Sequence, residues 1–76
     1  MNQQPNIHLT PREQQVMSLL LSRGSSNKQI GQSLGISEST VKIHMSSLLK
    51  KYCAQTRTQL MLFATLYSKT LEKGTK

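Results

Sequence analysis

Ser26–Lys51, SNKQIGQSLGISESTVKIHMSSLLKK, reads as a short helix, a tight turn and a longer helix, and the rest of the chain reads as support for it. Ser26 followed three residues later by Gln29 is a capping-box start, in which the serine oxygen accepts an otherwise unpaired N–H of the first turn. Ile30 and Leu34 repeat at i, i+4 and give a helix of about two turns one narrow apolar face. Gly35 suits a left-handed helix end because it has no β-carbon to clash. Ser37 with Glu38 then restarts a helix at once.

The faces of the second helix separate at roughly 100° per residue. With Val41 at zero, Met45, Leu48 and Tyr52 fall within about 40° and form the buried face, with His44 and Leu49 at its rim. The opposite face collects Ser39, Lys42, Ile43, Ser46, Ser47 and Lys50: small, basic and one aliphatic side chain, with no acid among them. Single exposed apolar residues are common, but a solvated face seldom carries an isoleucine at its centre. A helix lying in a DNA major groove uses such a set directly, with Ile43 against thymine methyls or sugars and Lys42 donating to base acceptors. His44 reads as a packed or phosphate-bonded side chain. Lys28, in the first turn of the preceding helix, is poorly placed for the macrodipole alone. A phosphate there gains from the helix N-terminus and from the lysine together.

Ten Lys+Arg against three Asp+Glu give 76 residues a net charge of +7 and an isoelectric point near 10.1, the signature of a phosphate-bearing partner. A chain this short buries only around 60% of its unfolded surface, so its core must be compact and mostly helical, with no room for a sensor or catalytic domain. No carboxylate pair, Cys/His/Asp set or phosphate-cradling glycine loop is present, which argues against an enzyme and leaves no cofactor to expect. The single Cys53 has no internal disulfide partner, and with His8 and His44 it offers no metal-ligand spacing; it reads as a reduced, half-buried thiol. No apolar run approaches a membrane span and the start MNQQPNIH lacks a signal peptide's apolar segment, so the expectation is a soluble cytoplasmic protein with no membrane partner.

Residues 1–8 are polar, aperiodic and contain Pro5, and read as a flexible arm. Thr10, Pro11 and Glu13 form a strong helix start, and Val16, Met17, Leu19, Leu20 and Leu21 supply the apolar face of a helix running to about Ser22, stopped by Gly24. Arg12 and Arg23 read as ordinary surface charges. The DNA-facing helix ends near Tyr52: either Cys53 takes a left-handed conformation, at a strain of about 1–2 kcal/mol, or the helix closes differently. Thr56 with Gln59 opens a last helix, Arg57 to about Lys69, that is apolar on too many sides for one contact with its own domain. Either those residues all pack inward, or, as we expect, a homodimer covers Thr58, Met61, Leu62, Thr65 and Leu66. Residues 70–76 read as a frayed basic tail adding nonspecific affinity for DNA.

Four segments carry a further resemblance: LTPRE at 9–13, SNKQIGQSLGISESTVKIH at 26–44, LLKKY at 48–52 and TRTQL at 56–60. In order and spacing they resemble the LuxR/FixJ-type (GerE-like) helix-turn-helix domain of bacterial transcription regulators over most of residues 9 to 67. The resemblance implies an all-α fold of four helices over 9–69, with the third in the major groove and the fourth at a dimer contact. It places base reading on Lys42, Ile43 and Ser46, flanked by Ser39 and Lys50, and puts Lys28 on the DNA backbone; with Lys28 we expect Ser39 and Lys50 to hold phosphates. The chain departs from the family at Gly31, where alanine is usual, and at Cys53, where glycine commonly follows an aliphatic residue. Ala54 is smaller than the usual residue, and Ser46 replaces a basic residue found in some relatives. The expectation is a free-standing, sequence-specific regulator of transcription that binds double-stranded DNA as a homodimer and associates with the bacterial nucleoid when bound, with another regulator or RNA polymerase as a further partner. The alternative is a small interaction module that binds and modulates a larger regulator through its fourth helix.

Overall fold

Every helix of the domain starts on a hydroxyl side chain that accepts a backbone N–H three residues on, which is why the sequence divides where it does. In the computed structural model, which describes residues 7–74 and their side chains through residue 67, these helices are α1 (Pro11–Arg23), α2 (Asn27–Leu34), α3 (Glu38–Lys51) and α4 (Arg57–Gly74). No strand occurs among the described residues. Thr10 Oγ1 accepts from Glu13 at 3.1 Å, Ser26 Oγ from Gln29 at 3.2 Å, Ser37 Oγ from Thr40 at 3.0 Å and Thr56 Oγ1 from Gln59 at 3.0 Å. The reciprocal bond completes a capping box at Thr10 and Ser26. At the fourth helix the Gln59 side chain reaches one residue further back, to the N–H of Gln55 at 2.8 Å.

The amphipathic stripes meet in one core. Val16, Met17 and Leu20 come from α1, Ile30 from α2, Val41, Met45, Leu48 and Tyr52 from the α3 segment, and Leu60 and Ala64 from α4. The α3 face found by periodicity is thus the buried one, with His44 and Leu49 half-buried at its rim. Leu21, expected on the apolar face of α1, is instead exposed. It stands one residue beyond Leu20, about 100° round the helix from the core contact.

Between α2 and α3 the chain turns on Gly35, at φ 70°, and the Ile36 N–H returns to the Gly31 carbonyl at 3.0 Å. A β-carbon on Gly31 would stand 2.7 Å from the Ile36 carbonyl oxygen, so the absent side chain is what lets the turn lie directly on α2.

The end of α3 settles the alternatives at Cys53. Its φ is 56°, the one positive φ outside glycine among the described residues. The Cys53 N–H bonds to the Lys50 carbonyl at 3.1 Å and the Ala54 N–H to the Leu49 carbonyl at 2.9 Å, the two bonds of a Schellman closure. The cysteine is exposed rather than half-buried, because the left-handed backbone turns its side chain away from the core. Cys53→Gly is therefore expected to raise stability by about 0.5–1 kcal/mol, since it relieves β-carbon strain and loses no packing. Thermal unfolding of the two proteins checks this.

Both ends differ from the sequence expectation. Residues 1–6 of the arm lie outside the described residues, but Ile7 packs against the core and the His8 carbonyl accepts from Lys51 at 2.7 Å. Helix α4 continues to Gly74, past Lys69, because no glycine or proline interrupts it earlier. The side chains of the basic tail over 70–76 lie outside the described residues. Among the described residues, no helix is long and apolar enough to cross a membrane.

Candidate nucleic-acid interface

Burying Val41, Met45 and Leu48 leaves α3 only one way to face, and what it presents to solvent is Ser39, Lys42, Ile43, Ser46 and Lys50. Ile43 is 68% exposed, the most open of the large apolar side chains among the described residues. Around it stand two ammonium groups, two hydroxyls and no acid; Glu38, in the first turn of α3, lies at the flank. Lys28 is exposed in the first turn of α2. The expected DNA-contact residues are thus all solvent-accessible, five of them on one face of one helix and the sixth beside the N-terminus of another.

Ser47 leaves this set. Its hydroxyl donates to Glu13 Oε2 at 2.6 Å, across 34 residues of chain, and the side chain is half-buried at the α1–α3 junction. The face arithmetic placed it outward because it stands at the edge of the polar arc, where one neighbouring helix decides the matter.

Glu13 itself does more than cap its helix. The residue is 4% exposed, and its carboxylate accepts from the Thr10 N–H at 2.9 Å, from Ser47 and from Lys51 Nζ at 2.7 Å. Burial alone would raise its pKa. The hydrogen bonds from Lys51, Ser47 and Thr10, with the lysine charge, outweigh burial and take it from 4.5 to about 2. One of the two acids among residues 7–67 is therefore withdrawn from the surface and neutralised, and Lys51 is committed to it, whereas Lys50 remains open.

A testable consequence concerns stability. The folded pKa of Glu13 is depressed, so its contribution is fully present above pH 4.5 and is lost as the pH falls toward 2. A shift of this size corresponds to about 3 kcal/mol. Lys51→Met keeps the aliphatic stem but strands the carboxylate. It is expected to cost about 2–3 kcal/mol at neutral pH, less than for a fully buried pair because Lys51 is partly solvated. Urea unfolding across pH should show the gap between variant and parent closing from pH 4.5 downward; a gap independent of pH would remove the pair as its source.

On α4, Leu60 and Ala64 are buried and Met61, Phe63 and Tyr67 half-buried. Leu62 is 53% exposed and Leu66 51%, with Thr58 and Thr65 exposed beside them. The apolar residues of this helix do not all pack inward: Thr58, Leu62, Thr65 and Leu66 of the expected contact strip are exposed, whereas Met61 is half-buried against the core. Tyr67 meets Tyr52 edge-on, ring centroids 5.9 Å apart, which seats the helix against the end of α3.

Sequence reasoning missed the partners of Arg57. From the first turn of α4 its guanidinium donates through Nη1 to Asn27 Oδ1 at 2.9 Å and through Nη2 to the Ser25 carbonyl. An arginine at a helix N-terminus, unfavourable for its own macrodipole, was the available signal.

Comparison with known proteins agrees with this fold. Residues 8–64 match the family model described as bacterial regulatory proteins, luxR family. The chain is 48% identical over 60 residues to the uncharacterized transcriptional regulatory protein YhcZ of Bacillus subtilis, covering 79% of this chain and 28% of that one. It is 45% identical over 56 residues to the CsgBAC operon transcriptional regulatory protein of Escherichia coli, covering 74% and 26%. It is 43% identical over 51 residues to the nitrate/nitrite response regulator protein NarL of Escherichia coli, covering 67% and 23%. The chain thus spans about a quarter of the length of these relatives. With the four helices, their order and the matched segment in agreement, this chain belongs to the luxR family of bacterial regulatory proteins, as a helix-turn-helix DNA-binding domain of transcription regulators and not an enzyme.

Proposed function

We propose that the domain reads duplex DNA in the bacterial cytoplasm as a homodimer, with α3 of each protomer in the major groove of one half-site. The observation that carries this reading is the outward face of α3, where Ile43 stands open between Lys42 and Ser46 and the one acid of the helix, Glu38, lies at the flank. In this arrangement Lys42, Ile43 and Ser46 meet base edges, while Lys28, Ser39 and Lys50 hold phosphates and fix the register. The strip Thr58, Met61, Leu62, Thr65 and Leu66 forms the two-fold contact, and a two-fold dimer calls for inverted half-sites about one helical turn apart.

Selection of binding sites from random duplex DNA at one fixed, near-physiological salt concentration tests the reading. Enrichment of an inverted repeat supports it. Enrichment of no sequence would turn attention to the α4 strip and a protein partner. Lys28→Ala separates phosphate contact from base reading: binding should weaken alike on all sequences, and the slope of log affinity against log salt should flatten by about one per protomer. A loss confined to the selected sequence would assign Lys28 to base recognition instead.

A further inference from the structure

We propose that Arg57 is a positioning residue for DNA binding, coupling the first turn of α4 to the N-terminus of α2 and thereby setting how far Lys28 stands from the dimer axis. The inference rests on the homodimer reading above. Its ground is a contact between parts of the chain 30 and 32 residues apart: the two ends of one guanidinium hold the Asn27 side chain and the Ser25 carbonyl at once. Asn27 is the first residue of α2, and Lys28 is the next. Ser25 follows Gly24, the left-handed residue that closes α1.

The electrostatics explain why a cation stands here. At the start of its own helix Arg57 opposes the macrodipole, which favours anions at that end. The N-terminus of α2 opposes it as well, and what offsets both is the C-terminal end of α1, where a helix dipole favours positive charge, together with the two direct acceptors, Asn27 Oδ1 and the Ser25 carbonyl. An arginine suits this place better than a lysine, because its planar fork can donate in two fixed directions while a lysine offers a point charge. Leu60 and Ala64 anchor α4 in the core further along. Arg57 therefore fixes the end of α4 that faces the α1–α2 turn, and with it the angle between the dimer strip and the phosphate-holding end of α2.

A residue that sets this angle controls which half-site spacing the dimer accepts, a property that folding stability alone does not move. The test uses duplexes carrying the selected half-sites at the preferred spacing and at spacings one and two base pairs longer and shorter. Affinities are measured for parent, Arg57→Gln, Arg57→Lys and Asn27→Ala, with circular dichroism to check folding and a single half-site duplex as reference. The expected result is that Arg57→Gln narrows the parent's affinity ratio between preferred and altered spacings by about 2–30-fold. Asn27→Ala and Arg57→Lys, each keeping part of the clamp, should narrow it less, and they decide the matter if Arg57→Gln does not fold. Variants that keep the parent's spacing ratio while binding or melting less well would overturn the proposal and leave Arg57 a merely structural residue. A parent with no spacing preference would overturn the dimer reading and this inference with it.

Discussion

Lys42→Ala is expected to weaken binding to the selected duplex by about 2–6 kcal/mol, because a two-fold dimer loses about 1–3 kcal/mol of base contact at each half-site. Lys42 has no other structural duty: it is exposed, and its neighbours on the buried side of α3 are supplied by Val41 and Met45. Folding should therefore be untouched, and the loss should appear as altered affinity in anisotropy titrations at fixed salt. The informative comparison is with a scrambled duplex, on which only the smaller loss of one positive charge per protomer is expected. Equal losses on both duplexes would reduce Lys42 to a phosphate contact. No loss on either would remove it from the interface.

Leu62→Glu addresses the other face. The residue is 53% exposed, so a carboxylate there meets water in the lone protomer and leaves the fold intact. In a two-fold contact it meets its own copy or the apolar strip around it, and either arrangement strands a charge. The expected outcome is a monomer by sedimentation, together with loss of the roughly 10²–10⁴-fold advantage that linking two half-site contacts confers. Affinity for a single half-site should stay as it is. Retention of paired-site affinity by the variant would place the two-fold contact elsewhere on the surface.

The sequence and the structure agree most closely where a feature is local. Thr10, Ser26, Ser37 and Thr56 act as helix starts because an N-cap needs only its own next three residues. The buried face of α3 was legible because Val41, Met45, Leu48 and Tyr52 repeat with the helix period against one core. The long-range joints were not legible. Glu13 reads locally as a capping acid, and its bonds to Ser47 and Lys51 depend on how α1 crosses α3. Ser47 and Lys51 stand one turn apart along the same edge of α3, and periodicity cannot say whether an edge faces water or a neighbouring helix. Arg57 was hidden for the same reason, since its acceptors belong to a turn 30 residues earlier. Cys53 was readable only as a choice, because a left-handed cysteine is strained and the compensating pair of backbone bonds is set by the closure itself.

Gly31 bears on how this domain could be re-targeted. With the Ile36 carbonyl resting where a β-carbon would be, α2, the turn and α3 are fitted to one another at backbone distance. An α3 transplanted from a protein with a side chain at this position would leave behind the turn it was fitted to. A chimera that exchanges α3 alone should therefore present the new side chains at the old tilt, whereas moving residues 26–51 as a single cassette carries the angle along with the side chains.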